Sequence, residues 1–125
     1  VIEHIREALG LMCQRADGAI AATVMGFDGL ELDTVLPAPL DDAGPDVSSL
    51  LVEFSALIGQ VTKSAEMFAA GRLEEVSFAS ERVVTLIRPL NEGYFVALAL
   101  APGANSGKGR YLLRVHAPML AEALA

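Results

Sequence analysis

The chain has 125 residues, 53% of them hydrophobic, with a mean hydropathy of +0.45. That much apolar surface excludes disorder and suffices for one domain with a real core, while the longest uncharged run, 93–107, is broken by Pro102, Gly103, Asn105 and Ser106 and falls short of the ~20 apolar residues of a membrane span. A net charge of -7 argues against a nucleic-acid binder, which usually shows a basic face, and makes an oligomer interface the first candidate for the surplus apolar surface.

In chain order, residues 2–16 read as an amphipathic helix, with Ile2, Ile5, Leu9 and Met12 at three- and four-residue steps. Asp17-Gly18 ends it. Ala19–Met25 is apolar or small on both alternating sets, which predicts an interior strand covered on both faces. Gly26-Phe27-Asp28-Gly29 is a hairpin turn. Leu30–Leu36 alternates Leu30, Leu32 and Thr34 against Glu31 and Asp33, which predicts a half-exposed edge strand. Pro37–Pro45 is a connecting loop, and Asp46 or Ser48 can cap the next helix.

That helix, the strongest element of the chain, reaches about Ala70. Val47, Leu51, Phe54, Ile58, Val61, Ala65 and Phe68 step by four and three, and Leu50 and Leu57 widen the stripe. A seam of three heptads can pack on a sheet and on a second helix at once. Strands are predicted at Leu73–Ala79, Val83–Pro89 and Tyr94–Leu100, the last uncharged and therefore central. A final helix starts near Lys108 with Leu112, Val115, Met119 and Leu120 inward, and a kink or early end is expected at Pro118. The order α-β-β-α-β-β-β-α has only short strand connections. The expected fold is α+β, a single domain with a five-stranded antiparallel sheet covered by helices on both faces.

No constellation for catalysis emerges. Gly103–Gly109 lies where a phosphate loop would, but has three residues between its glycines, and Gly109 replaces the hydroxyl that would hold Mg²⁺. His4 and His116 have no metal-ligand spacing, and no serine lies in a Gly-x-Ser-x-Gly elbow. The adjacent pairs Asp41-Asp42 and Glu74-Glu75 read as solvated charge. No cofactor and no metal are expected. Cys13 is the single cysteine, which fits a reducing cytoplasm. Val1–Gly10 lacks the apolar stretch of a signal peptide, and a start at Val1 is what loss of a few preceding residues would leave.

Two features point to protein partners instead. Residues 1–62 hold ten acids against two bases, and no base falls between Arg15 and Lys63, so one face should be acidic and suit a basic partner or simply solubility. Phe27 occupies a turn tip, where three readings stay open: it folds back onto its own core, anchors a partner with Asp28 and Leu30 beside it, or makes a dimer contact.

The segment Gly18–Leu30 with its Gly-Phe-Asp-Gly turn, the long helix after an acidic Pro-rich loop, and Asn105-x-Gly107-x-x-Arg110 resemble the roadblock / dynein light chain family over nearly the whole chain. Within that family the chain is similar to the bacterial MglB/MglC-type members, with an MglC-like adaptor favoured. The resemblance implies a roadblock/profilin-like sheet between helices. It implies a homodimer or heterodimer paired through the second helix and third strand, which here selects Leu50, Phe54, Leu57, Ile58, Val61, Leu73 and Val76. It also implies a non-catalytic regulator or adaptor in a small Ras-like GTPase system of cell polarity or gliding motility. Its partner would be another roadblock protein, bound through Phe27, Asp28 and Leu30, or the GTPase complex. Two alternatives remain. One is direct GTPase activation, for which Arg72, Arg82 and Arg88 offer surface contacts but no assigned finger. The other is a small-ligand or nucleotide sensor using the Gly103–Lys108 loop.

Overall fold

A computed structural model describes residues 1–37 and 43–125; the middle of the Pro37–Pro45 loop, with Asp41-Asp42, lies outside the described residues. The elements are α1 (Ile2–Arg15), β1 (Ala19–Gly26), β2 (Glu31–Val35), α2 (Val47–Met67), β3 (Val76–Ala79), β4 (Val84–Pro89), β5 (Tyr94–Leu100) and α3 (Ser106–Ala123). The five strands form one antiparallel sheet in the order β2-β1-β5-β4-β3. The uncharged β5 is the centre, as its composition predicts, and β2 is an edge.

Alternation along the strands sends side chains to two helical layers. Val96, Leu98 and Leu100 join Ala22, Val24 and Leu86 beneath α1 and α3, where Ile5, Leu9, Met12, Leu112 and Leu120 pack. Phe95, Ala97 and Ala99 join Ala21, Met25 and Ile87 beneath α2, where Val47, Leu51 and Ile58 pack. The strand Ala19–Met25 is apolar on both faces because both are covered.

Five local expectations shift. The alternation in β2 breaks at a bulge: Val24 pairs with Asp33 but Met25 pairs with Glu31, which leaves Leu32 as the extra residue. Asp33 therefore turns inward beneath α1 and is buried, where its carboxylate receives the Arg6 guanidinium at 2.6 Å. Strand β3 begins at Val76 rather than Leu73. Continuing its register would set residues 74 and 75 opposite Pro89 and Arg88, and Pro89 has no N–H to donate. Helix α2 ends at Met67, where Ala69 adopts a positive φ of 59° and the Ala70 N–H bonds back to the Ala65 carbonyl. Helix α3 starts at Ser106, because the Asn105 side chain accepts the Lys108 N–H at 3.0 Å. It also runs through Pro118 to Ala123 with no early end, and Pro118 is exposed.

Candidate functional site

Helix α2 carries two apolar seams rather than one broad stripe. Val47, Leu51, Ser55 and Ile58 are the buried residues. The serine is tolerated there because its hydroxyl donates to the Val52 carbonyl at 2.6 Å, and Thr62 likewise donates to Ile58 at 2.8 Å. The second seam, Leu50, Phe54, Leu57, Val61, Ser64 and Phe68, repeats every three or four residues. Leu50 and Phe54 are half-buried, while Leu57 is 47% exposed, Val61 46% and Phe68 77%. It spans ~27 Å of helix surface. The interface residues expected from the sequence divide accordingly. Ile58 is fully buried in its own chain and cannot touch a second one, so its expected place in the interface is corrected to the core. Leu57 and Val61 face outward.

The seam borders one edge of the sheet. Phe54 stacks on Phe78 of β3 with centroids 3.9 Å apart and planes 5° from parallel, which ties α2 to that strand. Leu73 and Val76 are half-buried alongside. The two sheet edges differ in kind. On β2, Glu31 is exposed, Asp33 is an inward charge, and a bulge distorts the ladder. Those are the features that block strand addition. On β3, Val76-Ser-Phe-Ala79 has no charge, no proline and no bulge. One edge is guarded and the other is open.

At the far end of β1, the turn curls back. Phe27 is half-buried, with its ring 5.4 Å from that of Phe95, so its bulk belongs to the α2-side core. The Phe27 N–H bonds to the Gly93 carbonyl at 3.0 Å. Asp28 is exposed, and its carboxylate accepts the Leu30 N–H at 3.0 Å. Gly29 has φ +85°, and a Cβ there would lie 3.5 Å from Val52 of α2. Leu30 remains 70% exposed beside it. The tip thus presents one carboxylate and one leucine on a rigid base formed by Phe27. Val52, which no sequence signal singles out, is exposed next to it.

The other candidates have structural duties. Gly109 is buried where a Cβ would sit 2.7 Å from Leu86 and 3.1 Å from Leu100, so its lack of a side chain lets α3 approach the sheet. Arg82 donates to the Ala43 carbonyl at 2.6 Å; Arg72 is exposed and Arg88 half-buried. Glu75 pairs with Arg110 at 3.3 Å. Cys13 is buried and its thiol is pushed up by desolvation. His4 is exposed, whereas His116 is half-buried with Nε2 shielded from solvent, and burial followed by the charge of Arg15 lowers its pKa. Among the described residues no three metal-binding side chains cluster. No described helix is long and apolar enough to cross a membrane.

Three solved structures show where this architecture recurs. The chain is 38% identical to MglC from Myxococcus xanthus, with 95% of this chain and 98% of that one covered and a TM-score of 0.68. Gliding protein MglB from Thermus thermophilus is 19% identical, with coverage of 97% and 88% and a TM-score of 0.81. A Roadblock/LC7 domain from Streptomyces avermitilis is 17% identical, with coverage of 94% and 95% and a TM-score of 0.78. The last two share the fold alone. No family model matches the chain, and no curated protein matches it. The architecture of three helices around a five-stranded antiparallel sheet is therefore that of a roadblock protein. The extent and identity of the match to MglC go further: the chain belongs to the roadblock/LC7 family.

Proposed function

We propose that the chain is a non-catalytic, dimeric adaptor that binds another roadblock protein in a small Ras-like GTPase system of cell polarity or motility. The observation that carries this reading is the second seam of α2. A helix needs one apolar face to cover a sheet, and α2 has that face in Val47, Leu51 and Ile58. Leu50 and Phe54 at the start of the outward series still pack on this chain's own core, but Leu57, Val61 and Phe68 are exposed beyond what the fold needs, and the series runs beside the open β3 edge. A twofold-related copy would cover both at once, helix on helix and strand on strand. Such a dimer leaves each Asp28–Leu30 tip at its own site. The link to polarity and motility rests on the likeness to MglC. The cytoplasm is the compartment proposed, because a chain with a single cysteine uses no internal disulfide and so suits a reducing environment.

The test is a titration of this protein into a purified Ras-like GTPase from the same genome, with and without that genome's MglB-like roadblock protein. The adaptor reading expects GTP hydrolysis by the GTPase alone to be unchanged and a ternary assembly to form through the roadblock partner. Faster turnover with this chain alone would assign it as a direct activator. A parallel titration with labelled nucleotide expects no binding. Micromolar binding abolished by Lys108→Ala would make it a sensor instead.

A further inference from the structure

A third set of exposed apolar side chains lies outside both the α2 seam and the tip. Tyr111 is 53% exposed, and Val115 and Met119 are exposed on the same side of α3. The three recur at four-residue steps and form one ridge ~12 Å long. The fold does not use it, because α3 meets its own core through Leu112, Leu113, Ala117 and Leu120. It lies on the opposite face of the sheet from α2.

The charge around the ridge runs against the rest of the molecule. Lys108 and Arg114 are exposed on the same side of α3, and the Arg114 guanidinium lies 5.7 Å from the centroid of the Tyr111 ring. Gly18 meets Ala104, so the end of α1, with exposed Arg15, lies beside the start of α3. The one acid on α3 is Glu122, exposed three residues beyond Met119 at the C-terminal end of the ridge, while Asp17 lies on the connection from α1 to β1. By contrast the tip and β2 expose Asp28 and Glu31 and no base. An acidic protein thus carries one apolar ridge with Lys108 and Arg114 beside its N-terminal half and a single acid, Glu122, at its far end.

We propose that the Tyr111–Val115–Met119 ridge, edged by Lys108 and Arg114, docks an amphipathic helix of a partner protein that carries carboxylates beside its apolar stripe. A row of side chains at i, i+4 and i+8 is the ridge that fits the groove between the same rows of a second helix. The cations at its border fix orientation and exclude basic partners. The occupant is therefore opposite in charge to any partner the acidic tip would favour, and the two surfaces can be filled together.

The experiment uses the full chain and a fluorescein-labelled, stapled helix of about 18 residues, with leucines at four-residue spacing and glutamates beside them. A second helix has lysine in place of each glutamate. By anisotropy the acidic helix is expected to bind with a micromolar Kd in low salt, and about tenfold more weakly when salt is raised past the range where rim charges are screened. Tyr111→Ala and Arg114→Glu should each weaken it at least about fivefold, equivalent to ~1 kcal/mol, with unchanged melting temperatures since both residues are exposed. Four results would overturn the proposal. The acidic and basic helices could bind alike, or both variants could bind like the parent. The acidic helix could be lost with Leu57→Ala/Val61→Ala instead, which would seat it on α2. Or the parent could grow beyond a dimer, or float with anionic vesicles, in a manner abolished by Arg114→Glu, which would assign the ridge to a second copy or to lipid.

Discussion

Truncating Leu57 and Val61 to alanine together separates the two seams of α2 most cleanly. Each side chain is about half exposed in the single chain, at 47% and 46%. Full burial of a leucine or valine contributes about 1.5–3 kcal/mol, so roughly half of that remains to be gained on covering the exposed part. A twofold seam holds four such side chains. Alanine keeps the Cβ, so the expected loss is ~2–4 kcal/mol per dimer, a roughly 30- to 700-fold weaker dimer Kd. Alanine also has the highest helix propensity, so α2 itself should not weaken. Sedimentation equilibrium gives the Kd, and urea unfolding of the dissociated chain gives the fold stability. The contrasting variant is Leu51→Ala, 2% exposed on the inward seam, which should cost ~2–5 kcal/mol of folding stability. An unchanged dimer Kd in the double variant, or a loss of fold stability matching that of Leu51→Ala, would refute the division of the helix into two seams.

Three further outcomes concern buried polar groups. Arg6→Ala strands the buried Asp33 carboxylate, whose Oδ2 already has no partner. Because the Arg6 side chain is 64% exposed, solvent screening limits the loss to about 1–2 kcal/mol in urea unfolding, and Asp33→Asn in the same chain should recover part of it. His116 has a folded pKa below its ordinary value, first through burial and then through Arg15, so the unfolded chain takes up protons more readily. Stability should therefore fall as pH drops through about 6.5. His116→Gln should flatten that part of the profile, and an equal slope in both proteins would remove His116 as its source. The Cys13 thiol, raised by desolvation, should react with a thiol reagent only at the rate of chain opening, so fast labelling of the native protein would contradict its burial.

The central strand is readable because an uncharged run flanked by turn residues suits a strand covered on both sides, and Tyr94–Leu100 meets that condition. The α2 seams are harder to separate. Phe54, Ile58 and Val61 satisfy a heptad spacing shared by both faces, and Ser55 looks misplaced in a core until its hydroxyl is seen bonded to the Val52 carbonyl. Periodicity reports an apolar arc and not which part of it meets the sheet. Strict alternation sends Asp33 outward, and the bulge at Leu32 that reverses it leaves no turn residue as a signal. At the tip, turn chemistry locates Gly26–Gly29. The direction of Phe27 depends on Phe95, nearly seventy residues away along the chain, a contact that local sequence does not encode. The α3 ridge is partly mistaken for core for the same reason: spacing alone turns Val115 and Met119 inward, but Gly109 brings the other side of the helix against the sheet.

The most direct measurement of the adaptor role is isothermal titration of this protein with the MglB-like roadblock protein of its own genome, for the parent chain and for Asp28→Lys/Leu30→Asp. Both residues are exposed, so the fold should be kept. Burying the exposed part of Leu30 is worth about 1–2 kcal/mol, and a reversed charge at residue 28 adds repulsion against a partner matched to it. The result predicted is saturable binding for the parent and a loss of at least about tenfold for the variant. Equal affinity for the two chains, or no binding by either, would contradict the tip as the surface through which this roadblock protein recruits its partner.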